Sequence, residues 1–421
     1  MSLDTRKCSE GFGSPPGCET FKFALTESQL SMDTCPVMEI VQNHSSVFQH
    51  VVIRYINCKK THLIKSWCKY FKIFLRILTS NSRLISVEFL NLSKCFEHID
   101  TATYAHIYRA ILDFLGSQHL LEEVEFRSCS FRLHDGVELL RKLTENSRES
   151  LTALVLREFI RYEPTDQVIS SFQDSLVINP STATQSPPSI FDLPNLTNLE
   201  IDYSLIFENM VARQSTSIQT VKFCLSEIIL DYRTGIIPIE YFRGLTSSDW
   251  RFLKTLCPDL QVELNIYTDS LSRREVEFLI APNMPITRLE YLCEASDMES
   301  GASDMQMESD SLFGHLLACK TNDHLVSLVF DCDLNIPVSA STFPPFLQAC
   351  RKLQELEVSV TYPANGVDRL LQSWLENRPE SLEKVRIDIR EIEEKDEYAN
   401  LMSLASELRL RGLNVTVNLY C

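Results

Sequence analysis

The residues best equipped for chemistry in this chain are few and scattered. His134-Asp135 sets an imidazole beside a carboxylate, the pair that general acid–base catalysis uses when the carboxylate orients the ring. Adjacent side chains seldom point at each other, and Asp135 leads into the apolar run Val137 to Leu143, where its oxygen could cap free backbone N–H groups. Capping is the expected role. Cys68, between Trp67 and Lys69, is a candidate thiol nucleophile, yet it lies in an apolar helical stretch with no histidine at helical spacing. Core packing is expected there.

Motifs that gather such residues are missing. With 11 glycines in 421 residues, the chain holds no Gly-x-x-x-x-Gly-Lys-Ser/Thr phosphate loop, no Gly-x-Gly-x-x-Gly and no Gly-x-Ser-x-Gly elbow. His-Glu-x-x-His does not occur, and the closest cysteines, Cys8 with Cys18 and Cys58 with Cys68, are spaced too widely for zinc hooks of about 2–4 intervening residues. The expectation is a chain that is not an enzyme, with no catalytic residue, no cofactor and no metal.

What remains is a scaffold pattern. Leu353 to Val358 reads Leu-Gln-Glu-Leu-Glu-Val, with Leu353, Leu356 and Val358 apolar and polar residues between them, the strand spelling of a leucine-rich repeat. The same grid fits Phe48/Val51/Ile53, Leu84/Val87/Phe89, Leu121/Val124/Phe126, Leu151/Leu154/Leu156, Leu196/Leu199/Ile201 and Ile218/Val221/Phe223. Further copies are Ile286/Leu289/Tyr291, Leu325/Leu328/Phe330 and Leu382/Val385/Ile387, and Leu413 to Leu419 alternates as a last strand. Helical spacing of apolar residues lies between strands in Ser66 to Thr79, Tyr104 to Leu115, Val137 to Leu143, Trp250 to Leu256, Arg273 to Ile280, Val367 to Leu375 and Tyr398 to Leu408. Ser247 or Ser248 and Ser272 are candidate caps. Strand and helix in alternation imply a parallel sheet with helices on its outer face. The expected class is α/β, an irregular leucine-rich-repeat solenoid with a curved parallel sheet inside and helices outside.

Residues 1–46 carry Ser, Thr, Pro and Gly without sustained periodicity and are expected to form a flexible arm; residues 47–421 form the repeat domain. Two inserted loops interrupt it. Residues 161–194 hold Pro164, Pro180, Pro187, Pro188 and Pro194, and residues 294–310 hold Glu294, Asp297, Glu299, Asp304, Glu308 and Asp310 with no Lys or Arg.

The net charge of −17 argues against nucleic acid, whose affinity rests on Lys and Arg neutralising phosphates. No apolar run approaches the ~20 residues of a membrane span, and the polar N-terminus lacks a secretory core, which places the chain in the cytoplasm or nucleus. The 14 cysteines, among them Cys129, Cys224 and Cys332 on or beside strands, are then buried or half-buried thiols.

Function is expected on the residues between the apolar ones, which line the concave face of such a sheet. They are Glu123, Glu125 and Arg127; Asn198, Glu200 and Asp202; Thr220 and Lys222; Glu355 and Glu357; and Lys384, Arg386 and Asp388. Their mixture suits a basic protein partner.

Ser66 to Asn91, Leu260 to Leu292 and Ala349 to Val358 resemble the repeat region of the F-box only family with leucine-rich repeats. The resemblance implies a substrate-recognition subunit, or a truncated form of one, in an SCF-type cullin-RING ubiquitin ligase. Upstream of Phe48 the chain has neither the Leu-Pro pair nor the amphipathic helices of an F-box, so Skp1 and cullin are expected as partners only where an F-box or a substitute is present. A free-standing leucine-rich-repeat scaffold or inhibitor is the other class.

Overall fold

The computed structural model describes residues 20–420 except 33, 59, 82, 162–186, 213–222, 235–238, 269–271, 294–301, 333–341, 362–365 and 391–398. The chain divides into two compact units, one built from residues 1–202 and 209–224, the other from 203–208 and 225–421. Both are α/β with parallel strands, as the alternation of strand and helix in the sequence implies.

The strands of the first unit are β1 (Thr20–Phe23), β2 (His50–Arg54), β3 (Ser86–Leu90), β4 (Glu123–Arg127), β5 (Phe131–Arg132), β6 (Ala153–Arg157), β7 (Ile160–Arg161) and β8 (Asn198–Asp202). They form a parallel sheet in the order β1-β2-β3-β4-β6-β8, while β5 and β7 pair separately. Alternation fixes its two faces. Val51, Ile53, Val87, Phe89, Val124, Phe126, Leu154, Leu156, Leu199 and Ile201 are all buried, and the residues between them look the other way. The helices Thr61–Leu78, Thr101–Ser117 and Leu133–Ser147 cover the buried side with stripes such as Leu63, Trp67, Phe71, Phe74 and Leu78. Phe89 stacks on Phe126 at 5.0 Å between centroids, and Phe126 in turn meets Phe131 and Phe159. Neighbouring strands thus share one aromatic core.

A recurring turn ends three of these strands. Asn91, Ser128 and Glu158, each the residue after β3, β4 or β6, sit at φ of 61°, 54° and 46°. Left-handed backbone costs a non-glycine residue about 1–2 kcal/mol. The ladder continues through it, however: Asn91 N–H donates to the Arg127 carbonyl and Ser128 N–H to the Arg157 carbonyl, at 3.0 and 2.9 Å.

In the second unit β9 (Glu227–Arg233), β10 (Gln261–Thr268), β11 (Ile286–Cys293), β12 (Ser327–Cys332), β13 (Glu355–Thr361), β14 (Lys384–Arg390) and β15 (Asn414–Leu419) pair in sequence order, all parallel. The helices Ser247–Leu256, Arg273–Leu279, Ala302–Ala318, Phe343–Ala349, Val367–Glu376 and Ala399–Leu410 lie between them in the chain. Phe330 of β12 packs against Phe313 and Phe343 from two of these helices.

Several expectations shift. Within the supposed arm, residues 20–23 form β1 against β2, and the helices Glu27–Leu30 and Pro36–His44 follow. Phe21 stacks on Phe48 at 4.5 Å and Phe23 on Phe74 at 4.3 Å, so aromatic anchors hold a segment whose composition reads as unstructured. Of the grid Ile218/Val221/Phe223, the first two lie outside the described residues; the strand here is β9, with Leu225, Ile228 and Leu230 buried. Residues 162–186 of the expected proline-rich loop and 294–301 of the acidic one also lie outside, but residues 302–310 begin the helix Ala302–Ala318. The cap of Ser247–Leu256 is Thr246 rather than Ser247 or Ser248, in a reciprocal capping box with Asp249; Ser272 caps Arg273–Leu279 as expected, with Glu275. Cys129 is buried but Cys224 is exposed, and the Cys332 side chain lies outside the described residues.

Candidate partner-binding face

Asp135 does not cap its helix. It lies within the first turn of Leu133–Ser147, where the N-cap residue Arg132 makes no side-chain cap bond, and its Oδ2 accepts 2.8 Å from the Tyr104 hydroxyl. Burial, then this bond, pushes the Tyr104 phenol up. His134 Nδ1 stands 3.7 Å from Asp135 Oδ1 with most of its ring in solvent. The carboxylate joins two packed helices and leaves the imidazole unoriented. Cys68 is buried in the core beside Cys95.

The outward strand positions are more ordered. In the first unit the pairing places Val52, Glu88, Glu125, Val155 and Glu200 in one row across β2, β3, β4, β6 and β8, and Arg54, Leu90, Arg127 and Arg157 in the next. Carboxylates and guanidiniums therefore face each other diagonally across strands. Arg127 grips Glu200 with both ends of its fork, Nη1 to Oε1 at 2.6 Å and Nη2 to Oε2 at 2.8 Å, and its Nε donates to Glu125 Oε2 at 2.9 Å. Arg157 Nη1 adds a contact to Glu200 Oε1 at 3.4 Å. Burial by itself would lower the Arg127 guanidinium, but the bonds to Glu200 and Glu125 outweigh it and hold the charge.

Of the expected residues, then, Glu125, Arg127 and Glu200 are brought together. Asp202 serves the turn instead, its Oδ2 accepting from the Glu158 N–H at 2.8 Å. Glu123 stays exposed at the start of β4, and Asn198 Oδ1 accepts from its neighbour Thr197. Thr220 and Lys222 lie outside the described residues.

On the second unit's sheet, Lys384 Nζ reaches Glu355 Oε1 at 3.2 Å, and Arg386 spans Glu357 at 3.5 Å and Asp388 at 2.9 Å. The hydrogen bond to Asp388 leads in raising the Arg386 guanidinium. Asp388 is buried and also accepts from Asn418 Nδ2 at 2.7 Å, so it anchors its neighbours and presents little of itself.

Sequence reasoning passed over comparable residues. Glu88 occupies the place in β3 that Glu125 holds in β4, and Arg157 the place in β6 that Arg127 holds in β4. That shared offset was the readable signal. Burial, then the Glu125 charge, raises the Glu88 carboxyl. On β10 and β11, Arg288 lies 3.7 Å from both Glu263 and Glu290; burial raises both carboxyls and Arg288 opposes the shift. Arg390 Nη2 meets Asp331 Oδ2 at 2.6 Å.

Among the described residues no group of three His, Cys, Asp or Glu side chains is placed to hold a metal ion, and no helix is long and apolar enough to cross a membrane. No known family model matches the chain, and no curated protein matches it.

Proposed function

We propose that the chain is a non-catalytic recognition protein, a divergent leucine-rich-repeat domain whose outward strand faces bind a protein partner. On the resemblance of its repeats, it serves as the substrate-recognition subunit, or a shortened form of one, of an SCF-type cullin-RING ubiquitin ligase. The observation that carries the recognition reading is the in-register double row of Glu88, Glu125 and Glu200 with Arg127 and Arg157. A parallel sheet fixes the spacing of these charges, and their mutual pairing removes most of the side-chain entropy that a partner would otherwise have to freeze. Charges held this way select a partner by register and by sign more than by raw affinity. The half-buried Glu88 and the exposed Glu123 favour a partner that brings Lys or Arg.

The test is copurification of the full chain with Skp1 and a cullin, beside a chain carrying Glu88→Lys and Glu123→Lys. Capture of both ligase components, with a third protein lost on charge reversal while they stay, is the expected result. A partner bound in equal amount through the same face without Skp1 or cullin would make the chain a free-standing scaffold or inhibitor. Binding indifferent to both reversals would remove the face from the account.

A further inference from the structure

Two thiols from different elements meet in the core of the first unit. Cys68, on the helix Thr61–Leu78, and Cys95, on the short helix Ser93–Phe96 that follows β3, place their sulfurs 3.7 Å apart. Cys68 is 2% exposed and Cys95 fully buried. Core packing alone would be served by any small apolar side chain, whereas these two sulfurs meet at van der Waals contact and need approach by only about 1.7 Å to reach the ~2.05 Å bond of a disulfide. We propose that Cys68 and Cys95 form an oxidisable dithiol, a modification site at which a hydroperoxide converts the pair to a disulfide that ties the two helices together. The proposal stands apart from the recognition reading and needs none of its residues.

The pair also divides the work. The hydrogen bond from Cys95 and, more weakly, the Lys72 charge lower the Cys68 thiol, while the same bond and burial push Cys95 up. Cys68, which alone of the two keeps any exposure and has the Lys72 charge nearby, is thus the attacking sulfur and Cys95 the resolving one. In the first step the Cys68 thiolate attacks one peroxide oxygen; an S–O bond forms, the O–O bond breaks, and the departing hydroxide or alkoxide takes up a proton. In the second, the Cys95 sulfur attacks the Cys68 sulfenic acid; the S–S bond forms, the S–O bond breaks, and hydroxide leaves with the Cys95 proton as water. Two electrons pass from the two sulfurs to the peroxide.

The third thiol nearby does not compete. Cys58 Sγ donates to the Ile56 carbonyl at 3.1 Å, and burial raises that thiol. Access is the limiting factor, since neither sulfur of the pair is open to bulky reagents, which makes a small hydroperoxide the fitting oxidant.

The full reduced chain, treated with hydrogen peroxide under native conditions, then denatured, alkylated and digested, provides the test. The expected result is one dominant linked peptide containing Cys68 and Cys95, separated by dithiothreitol and absent from Cys68→Ser. Cys224, which is exposed, reports that oxidant was present in every sample. Full alkylation of Cys68 and Cys95 in samples where Cys224 has been oxidised would overturn the proposal. So would a Cys68–Cys95 link that forms only after the chain has been unfolded, and both readings come from the wild-type chain even if the variant does not fold.

Discussion

Replacing Glu200 tests whether the charged rows are a built lattice or a solvated surface. Its side chain is 12% exposed and faces two guanidiniums, Arg127 and Arg157, that are about a third exposed. A charge-assisted hydrogen bond contributes about 1.5–3 kcal/mol when desolvated, and Arg127 makes two to Glu200. Water reaches a third of Arg127, so screening cuts this, and a coupling of about 1–2 kcal/mol between the two side chains is the working figure. Glu200→Ala should therefore lower the stability of the first unit by about 2 kcal/mol, because Arg127 and Arg157 are left close together without their shared anion. Arg127→Ala should lower it by a similar amount, while the double variant should fall short of the sum by the coupling energy. Hydrogen exchange of the β4, β6 and β8 amides reads this locally, so unfolding elsewhere in the chain does not blur it. A coupling below about 0.5 kcal/mol would mean that the fork is a surface pair of the ordinary weak kind, and the preorganisation argued for the face would fail.

Two further outcomes are expected. Glu88→Gln should raise the melting temperature of the first unit at neutral pH: burial and Glu125 raise the folded-state pKa of Glu88, so its ionised form opposes folding there. The gain should vanish as the pH falls through that raised pKa and the native carboxyl protonates, and a gain that grows in acid would contradict the sign. Phe126→Ala should cost about 3–5 kcal/mol, since the ring is fully buried and contacts Phe89, Phe131 and Phe159. Protection of β3, β4 and β6 amides should fall together, and a loss confined to β4 would show that the aromatic core is not shared.

Much of the architecture is legible in the sequence because one spelling recurs. Leu-x-x-apolar-x-apolar marks residues that a parallel strand turns inward, and at Val124/Phe126, Leu154/Leu156, Leu356/Val358 and Val385/Ile387 the grid names the buried side chains. It fails where the signal is short or diluted. β1 is four residues in a polar segment, and its pairing with β2 and its ring contacts, among them those with Phe48 and Phe74, give it a place. The spelling Leu225/Ile228/Leu230 follows closely on the copy at Ile218, which lies outside the described residues, and β9 takes its place by pairing with β10. The acidic run before Leu312 reads as solvated loop, yet its described part, residues 302–310, is helical, and there Asp310 accepts from the Thr342 hydroxyl at 2.6 Å.

The site is legible only as a set of positions. That Glu125, Arg127 and Glu200 belong to one face follows from strand parity, but that they form a closed group does not, since Glu200 lies 73 residues from Arg127 in the chain and meets it only through β6. The same closure changes what the face can do. A basic partner approaching Glu200 would have to displace a bidentate guanidinium from a carboxylate that is itself mostly buried, which costs more than the new pair returns. Glu123 is exposed and Glu88 only half-buried, with burial and Glu125 leaving Glu88 readier to accept a proton than an ordinary glutamate. A Lys or Arg placed beside Glu88 relieves that condition, so contact there gains the Coulomb term and removes a strain present in the free protein. On the proposed recognition role, Glu123 and Glu88 are therefore the positions at which a partner would gain most, and Glu200 and Arg127 are the frame that holds the strands beneath them in register.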